Sequence, residues 1–335
     1  MIITRTPYRI SFVGGGSDME SFYAKHQGAV LSSTINKFVY ISSHRFFDVD
    51  SIRLKYSRNE TVKSIAEIQH PLFREALSQF GVKGSLEMSS NGDVPAGTGL
   101  GSSSAFTVGL LHNLYVREGK YATKKQLAEE ACAIEIDRLK EPIGKQDHYA
   151  AAFGGLNVIR FHSNGAVDVE PIHLNTATNR ELQENLLMFY TGTQRSASTI
   201  LQEQKDNIAA MRKSDVLSEM VDLVWELRDS LFSGDLSSFG EILDRNWVLK
   251  QQLANGIGTD QIASMYRRGI DAGALGGKLL GAGGGGFLLF YCEKEKQDRL
   301  RRELASHQEL RFKFENEGSK LIFVGDEYEE STTHE

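Results

Sequence analysis

A glycine-rich segment at residues 95–104, PAGTGLGSSS, has the composition of a phosphate-binding loop. Its glycines at alternate positions let the backbone approach a ligand closely and direct several N–H groups toward one anion. A helix predicted to begin near Ser102 would add the positive end of its dipole, and the serine hydroxyls can bind phosphate or magnesium. A glycine turn with serine caps is the alternative. The predicted nucleotide site consists of Pro95, Gly97, Gly99, Leu100, Gly101, Ser102, Ser103 and Ser104.

Two better-known nucleotide motifs do not describe this sequence. A Walker loop requires a lysine directly after its last glycine, and the segment 95–104 has none. A GxGxxG pattern occurs at Gly281, Gly283 and Gly286, but the strand-like FLLFY follows it where a dinucleotide site needs a helix. A nicotinamide oxidoreductase is therefore disfavoured. We expect the glycines of residues 278–286 to approach another segment or a ligand closely, with a flexible hairpin as the alternative.

Glu135 is a carboxylate on a predicted apolar helix face. On a helix over residues 123–139, 100° per residue places Glu135 near the centre of an arc of leucine, isoleucine, alanine and cysteine side chains. Burying a carboxylate there costs several kcal/mol unless it is paired or bound to a metal. The residues alone allow a salt bridge with a core Arg or Lys, or a metal site.

The elements that must position these groups follow an α+β pattern. Hydrophobic alternation predicts strands at residues 8–13, 30–43, 52–56, 85–90 and 153–161, with helices from about residue 102 and over 123–139. Further strands are predicted at 186–191, 286–291 and 320–324, and helices at 198–211, 216–232, 260–272 and 296–306. The 335-residue length favours two packed domains, which we predict to span 1–170 and 171–335.

Composition disfavours several classes of protein. A net charge of −6 and no long Lys/Arg block argue against a nucleic acid or an anionic membrane as partner. Cys132 and Cys292 have neither CxxC spacing nor a Cys/His cluster, so no disulfide framework or zinc site is expected. The first residues form no apolar run of signal-peptide length, and no segment is long enough to span a membrane. We expect a cytoplasmic protein.

Three motifs in this order resemble those of the galactokinase, homoserine kinase, mevalonate kinase and phosphomevalonate kinase (GHMP) superfamily. They are TPYRISFVGGGSD at residues 6–18, PAGTGLGSSS at 95–104 and KLLGAGGGGF at 278–287. The resemblance implies a two-lobed fold, with an N-terminal lobe related to a ribosomal-protein domain and a ferredoxin-like C-terminal lobe. It also implies a small-molecule kinase that uses ATP and Mg²⁺.

The resemblance further implies roles for four side chains. Asp147, in EPIGKQDHYAAAFGG, matches the aspartate that such kinases direct at the substrate hydroxyl. Arg9 matches the basic residue between that carboxylate and the transferred phosphate, and Glu135 with Ser103 matches the pair that holds magnesium. A surface or helix-capping Asp147, and an Arg9 paired with a surface acid, are the structural alternatives.

The resemblance also indicates the class of substrate that accepts the phosphate. Sugar kinases of the superfamily have GEHTD where this chain has GGGSD, so Asp18 matches a sugar-binding acid while Gly15 and Gly16 replace Glu and His. The full spelling of the motifs, with TGTQRSAS at 191–198, is most similar to D-glycero-D-manno-heptose 7-phosphate kinases. A phosphorylated sugar needs a second anion site. The candidate substrate residues are Asp18, Gly15, Gly16, Lys37, Arg195, Gly283 and Gly284.

Other functions remain open from the sequence. The same chemistry on fucose, an octose phosphate, galactose or mevalonate is one alternative, and a catalytically silent sugar sensor is another. His26, His44 and His148 are interpreted as structural or surface residues, since no spacing links them as ligands. We expect a monomer or a homodimer whose only partner is a small-molecule sugar phosphate.

Overall fold

The computed structural model describes residues 1–192, 197–210 and 213–325. Within these residues the strands form two sheets, one of eight strands and one of three. The strands are β1 (Ile2–Val13), β2 (Gly28–Arg45), β3 (Ile52–Lys55), β4 (Asn59–Val62), β5 (Leu86–Gly92), β6 (Leu156–Phe161), β7 (Val167–Pro171), β8 (Leu186–Tyr190), β9 (Gly276–Leu279), β10 (Phe287–Tyr291) and β11 (Lys320–Val324).

Helices pack against both sheets. They are α1 (Glu20–Tyr23), α2 (Pro71–Gln79), α3 (Ser102–Arg117), α4 (Lys124–Cys132), α5 (Gln146–Phe153), α6 (Thr176–Glu184), α7 (Ala197–Ala209), α8 (Ser214–Ser233), α9 (Phe239–Lys250), α10 (Asp260–Asp271) and α11 (Gln297–Glu303). A π-helical turn, Ala133–Arg138, continues α4, and short 3-10 turns lie at Ile65–Glu67 and Lys294–Lys296. No described helix is long and apolar enough to cross a membrane.

The large sheet has the long antiparallel pair β1 and β2 at its centre. Its strand order is β11-β1-β2-β5-β3-β4, and β6 joins the other part of β2 and carries β7. The register between β1 and β2 shifts between Pro7 and Tyr8, directly before Arg9. Such an irregularity re-aims the side chains that follow it. The register shift therefore changes the direction of the Arg9 side chain from the one that a regular strand would give it.

The small sheet has the order β8-β10-β9 and is covered by helices of the second half. The strand β10 is buried throughout, which explains why its sequence, FLLFY, is a continuous apolar run. Trp247 of α9 and Phe239 at its start are among the largest fully buried side chains. The apolar face of α9 thus packs against the small sheet, and this packing sets the orientation of the helix.

The predicted α+β class is confirmed, and most predicted elements are present. Helix α3 begins at Ser102, and the Thr123 side chain caps α4 by accepting a hydrogen bond from the Gln126 N–H. Sequence reasoning missed α1, β4, α2, α5, β7, α6, α9 and β9. It also extended an α-helix through residues 133–138, where the chain is π-helical. The strand β11 pairs with β1, so the large sheet draws on both halves of the chain.

Candidate active site

A cleft of about 770 Å³ lies between the glycine loop before α3 and the loop that joins β9 to β10. The aromatic and apolar part of its wall includes Tyr56, His70, Leu72, Val94 and Phe106. The polar part includes Arg9, Ser11, Asp18, Gln146, Asp147, Gln204, Lys250 and Lys278. The backbone of both glycine loops separates these two parts, so the cleft can hold a ligand with a planar end, a charged middle and a polar end.

Arg9 and Asp147 form a bidentate ion pair in the wall of the cleft. Arg9 Nε lies 2.6 Å from Asp147 Oδ1, and Nη2 lies 2.7 Å from Oδ2. The third nitrogen of the guanidinium, Nη1, donates a hydrogen bond to the Gly99 carbonyl oxygen at 2.7 Å. The Arg9 side chain is almost fully buried, whereas that of Asp147 remains 22% exposed toward the cleft. The pair therefore holds a carboxylate in a fixed orientation that a ligand can still reach.

The glycine loop packs directly against this ion pair. Gly101 has φ +75°, and a Cβ at this position would lie 3.2 Å from Asp147 Oδ2 and 3.3 Å from Arg9 Cγ. Gly97 has φ +76°, but a Cβ there would meet nothing within 4 Å. Both positions favour glycine through their backbone conformation. At Gly101, a residue without a side chain is also needed because the loop lies so close to Arg9 and Asp147. At Gly97 no neighbour imposes that requirement.

The two glycine loops cross each other in the floor of the cleft. A Cβ on Gly99 would lie 2.4 Å from the Leu280 carbonyl oxygen, and a Cβ on Gly281 would lie 2.4 Å from Gly99 Cα. A Cβ on Gly286 would lie 2.3 Å from the Thr98 oxygen. The close approach expected for residues 278–286 is therefore to the phosphate-loop backbone. Gly99 is required for this crossing, in addition to any room that a phosphate needs.

Glu135 is buried, as its position on the apolar face predicts, but its partner is a histidine. Glu135 Oε1 accepts hydrogen bonds from Thr107 Oγ1 at 2.7 Å and from His148 Nε2 at 3.1 Å. Burial opposes the charged form of each group. The His148 cation and the Thr107 and Ser103 hydroxyls nevertheless lower the pKa of Glu135, and the acidic groups around His148 raise its pKa. The structural reading of His148 is thus confirmed, with a specific partner.

The same carboxylate satisfies part of what a magnesium site needs. Ser103 lines the cleft and its hydroxyl interacts with Glu135, which lies directly behind it. Within the residues that the structure describes, no group of three His, Cys, Asp or Glu side chains could hold a metal by itself. Magnesium is bound in such sites by one or two protein oxygens together with phosphate and water. A carboxylate beside a serine at a phosphate loop fits that requirement.

Asp18 organises the far end of the cleft and is buried. Its carboxylate accepts hydrogen bonds from the Gly16 N–H at 2.9 Å and from the Gln146 N–H and Nε2 at 3.1 Å each. Burial raises the pKa of Asp18, and Asp147 adds to that effect, although the backbone donors act against it. Gln146 Oε1 and Ser11 Oγ are buried beside it without a hydrogen-bond partner. Such unsatisfied groups suit a polyhydroxylated ligand, which can pair with them.

Sequence reasoning missed two buried lysines of the cleft. Lys250 ends α9 and donates a hydrogen bond to the Gly281 carbonyl oxygen, and Lys278 of β9 donates to the Phe12 carbonyl oxygen at 2.9 Å. Burial lowers the pKa of Lys250 to about 8, and Arg9 contributes to this shift. The helical periodicity that places Glu135 on an apolar face also places Lys250 on one. Lys250 follows Leu243 and Trp247 on the buried face of α9, so the same reasoning could have identified it.

Some predicted substrate residues lie apart from the others. Gly15, Gly16 and Gly283 line the cleft with Asp18, but Lys37 and Gly284 do not. Lys37 is half-buried on β2, and the Gly284 N–H binds the Ile257 carbonyl oxygen at 3.0 Å. Arg195 lies outside the described residues. The roles of all these residues in binding substrate stay predictions.

Comparisons with known proteins agree with the geometry. The model of the GHMP kinase N-terminal domain matches residues 60–155, and that of the GHMP kinase C-terminal domain matches residues 225–310. The D-glycero-alpha-D-manno-heptose 7-phosphate kinase of Campylobacter jejuni is 28% identical over 95% of this chain and 98% of its own length. A galactokinase of Pyrococcus furiosus is 25% identical over 88% of this chain and 90% of its own.

Solved structures share the fold. A D-glycero-D-manno-heptose 1-phosphate kinase from Bacteroides thetaiotaomicron superposes with a TM-score of 0.80 at 22% identity, covering 97% of this chain and all of that one. The galactokinase of Lactococcus lactis in complex with galactose gives 0.74 at 14% identity, covering 95% of this chain and 94% of that one. This chain therefore has the same overall fold as these two kinases.

Proposed function

This chain belongs to the GHMP kinases and is an ATP-dependent sugar kinase, and we propose that its acceptor is D-glycero-D-manno-heptose 7-phosphate. The product would be the 1,7-bisphosphate, formed at the anomeric hydroxyl. The observation that carries the proposal is the Arg9–Asp147 pair, which lies between the phosphate loop and the Asp18 end of the cleft. A sugar hydroxyl beside Asp18 and a γ-phosphate at the loop would meet at Asp147.

The geometry supports a direct transfer. The acceptor oxygen attacks the γ-phosphorus, the bond to the β–γ bridging oxygen breaks, ADP leaves, and Asp147 takes the hydroxyl proton. Arg9 fixes the Asp147 carboxylate and brings a positive charge to the loop at Gly99. Phosphoryl transfer depends mainly on such positioning and charge stabilisation. Asp147 and Arg9 are therefore the proposed catalytic residues.

The loop 95–104 is the proposed nucleotide site, and Ser103 with Glu135 is the proposed magnesium site. Gly101, Ser102 and Ser103 line the cleft at the start of α3, where the free backbone amides of a helix N-terminus can bind phosphate oxygens. The Tyr56, His70 and Phe106 side chains supply an aromatic surface for the base. Magnesium, when bound, would neutralise charge on the β- and γ-phosphates.

A relative and the Asp18 end of the cleft support the proposed identity of the sugar. The Campylobacter jejuni relative acts on a heptose 7-phosphate, and it aligns over nearly the whole chain. Gly15 and Gly16 bring no side chain into the Asp18 end, and a Cβ on Gly15 would lie in contact with Gln146 Nε2, at 3.5 Å. Arg195 and Lys37 remain the proposed donors to the remote phosphate.

A panel of ATP-coupled assays tests the proposal. The purified chain is given D-glycero-D-manno-heptose 7-phosphate, the same heptose without phosphate, fucose, galactose and mevalonate, each with Mg²⁺ and ATP. We expect the heptose 7-phosphate to have the highest kcat/KM by at least about tenfold. A higher kcat/KM for galactose or fucose would show that this sugar, and not the heptose 7-phosphate, is the acceptor of the kinase reaction. Sugar binding without ADP formation would identify a sensor.

A further inference from the structure

Lys250 is a cation of the cleft that the proposed mechanism does not yet use. The residue is buried, with 6% of its surface exposed, and it lines the same cleft as Arg9 and Asp147. We propose that Lys250 is a further catalytic residue, which contacts the transferring phosphoryl group. This inference rests on the kinase reaction proposed above, but not on the identity of the sugar.

A continuous set of contacts places Lys250 beside the reaction centre. Its ammonium donates to the Gly281 carbonyl oxygen, and Gly281 is the residue that packs against Gly99 in the crossing of the two loops. Gly99 in turn accepts the hydrogen bond from Arg9. Lys250 is thus separated from the Arg9–Asp147 pair by two glycines, and no bulkier side chain is part of that connection.

The charges around Lys250 leave it without a counterion. The Arg9 guanidinium is compensated by both oxygens of Asp147, and Asp18 is held by amide donors. Among the described carboxylates, none forms an ion pair with Lys250. A buried ammonium without a counterion costs several kcal/mol. A phosphoryl group carries the missing negative charge, and it needs compensation most while it is being transferred.

The donors of Lys250 also suit this role. An ammonium has three N–H donors, of which one is used by the Gly281 carbonyl oxygen. That bond orients the side chain, and the remaining donors can face oxygens of the phosphoryl group. The lowered pKa of Lys250, about 8, agrees with a buried cation that still lacks its anion.

A structural role for Lys250 is the main alternative. Its bond to Gly281 could serve only to hold the loop between β9 and β10. Gln204, which also lines the cleft, offers an uncharged comparison, because its buried side chain donates to the carbonyl oxygen of the next residue, Ala282, at 3.2 Å. If tethering were the whole function, removing either bond would have similar effects on the reaction.

The test compares binding of a phosphoryl mimic in three variants: Lys250→Met, Lys250→Arg and Gln204→Leu. Dissociation constants are measured calorimetrically for Mg²⁺ and ADP, without and with aluminium fluoride, which imitates the phosphoryl group in transfer. In the parent protein, aluminium fluoride should tighten ADP binding. We expect Lys250→Met to lose most of that gain while its affinity for ADP alone stays within about threefold. Lys250→Arg should recover part of the gain, and Gln204→Leu should keep it.

Turnover provides the second measurement. With any sugar that the parent phosphorylates, Lys250→Met should lower kcat by about 100- to 1,000-fold, as the loss of one charge-stabilising group does. An unchanged aluminium fluoride effect in Lys250→Met, or an equal loss in Gln204→Leu, would overturn the proposal in favour of a loop tether. If Lys250→Met does not fold, Lys250→Gln, which keeps a donor for Gly281, takes its place. The fluoride measurement needs no acceptor, so it is independent of whether heptose 7-phosphate is the substrate.

Discussion

Asp147 faces Arg9 with both of its oxygens, 2.6 and 2.7 Å from Nε and Nη2. This arrangement leaves little freedom for the carboxylate to turn. The sequence places the two residues 138 positions apart, and a short helix and a central strand bring them together. The pair therefore couples the helix that carries Asp147, the proposed proton acceptor, to strand β1, whose Arg9 also binds the phosphate loop at the Gly99 carbonyl oxygen.

The first prediction concerns Asp147→Asn. The amide can still accept a hydrogen bond from Arg9 but cannot take the proton of the acceptor hydroxyl. We expect kcat to fall by about two to four orders of magnitude, with KM for ATP changed less than fivefold. Steady-state kinetics measure both constants. Asp168→Asn, at a largely exposed carboxylate paired with His162, is the control and should retain parental kinetics. Turnover within a few-fold of the parent would show that Asp147 is not the base.

The second prediction concerns Glu135→Gln. We expect the Mg²⁺ concentration for half-maximal activity to rise at least about tenfold, because the ion loses a charged ligand. Stability should fall as well, since His148 is then a buried cation without its carboxylate partner. A Mg²⁺ titration of activity and urea unfolding separate the two effects. Glu130→Gln is the matched control, because Glu130 accepts hydrogen bonds from Gln79 and Tyr115. It should lower stability without changing the Mg²⁺ requirement.

The buried Glu135–His148 pair also has a pH signature. The lowered pKa of Glu135 means that its stabilising effect is present above its ordinary pKa and is lost as pH falls through the lowered value. The raised pKa of His148 means that its effect is present below its ordinary pKa and is lost as pH rises through the raised value. The stability difference between the parent and Glu135→Gln should therefore shrink toward acidic pH. A difference that is constant from pH 3 to 7 would contradict the pairing.

The third prediction separates two glycines of the phosphate loop. Gly101→Ala and Gly97→Ala impose a similar cost in backbone conformation, because φ is +75° and +76° at these positions. The methyl group at Gly101 would also press on the Arg9–Asp147 pair, whereas that at Gly97 would enter open space in the cleft. We expect Gly101→Ala to lower kcat strongly, and Gly97→Ala to act mainly on the KM for ATP. Equal effects on both constants would argue against this assignment.

The fourth prediction is a pH dependence of stability caused by Lys250. Its pKa, about 8, lies below the ordinary value of 10.5, so the unfolded chain holds more protons in this interval and stability rises with pH. Between pH 7.5 and 9.5 the parent should gain about 2 kcal/mol relative to Lys250→Met. Arg9, Lys278, Asp18 and Asp147 are the charged groups that act on Lys250. Urea unfolding of both proteins at the two pH values measures the difference, and parallel profiles would contradict it.

The fifth prediction concerns the remote phosphate of the proposed acceptor. Arg195→Ala should raise the KM for the phosphorylated heptose at least about tenfold and leave that for the unphosphorylated sugar nearly unchanged. Arg245→Ala, at an exposed arginine paired with Glu226, is the control. An equal rise for both sugars would remove Arg195 from the phosphate site.

The two candidate carboxylates, Asp147 and Glu135, could be singled out from sequence motifs, but their surroundings could not be predicted. The helix containing Asp147 is only eight residues long, too short for a periodic pattern to be recognised. The π-helical turn keeps Glu135 on the buried face that an α-helix would give it, so the apolar pattern cannot distinguish the two conformations. Its partner His148 comes from a different helix, and the local sequence gives no sign of the contact.

Lys250 shows a different limit. The segment of α9, FGEILDRNWVLK, has a regular apolar stripe, yet it lies between Gly-, Ser- and Asn-rich stretches that favour loops. Once the helix is known, Lys250 is evident as a cation among Leu243, Trp247 and other buried residues. Its proximity to Arg9 depends on the crossing of two glycine loops that are far apart in sequence. Only the three-dimensional structure contains that information.

The pairing of β11 with β1 has a consequence for synthesis of the chain. The Thr6 and Ser319 hydroxyls, which join these parts of the fold, are 313 positions apart. A ribosome that adds about 5–20 residues per second needs roughly 15 to 60 s to make that interval. Throughout this time β1 has one edge without its neighbour, and an open edge can pair with other chains. Newly made molecules are therefore most prone to aggregation before residues 320–324 emerge, and chaperones that cover strand edges would protect them during this interval.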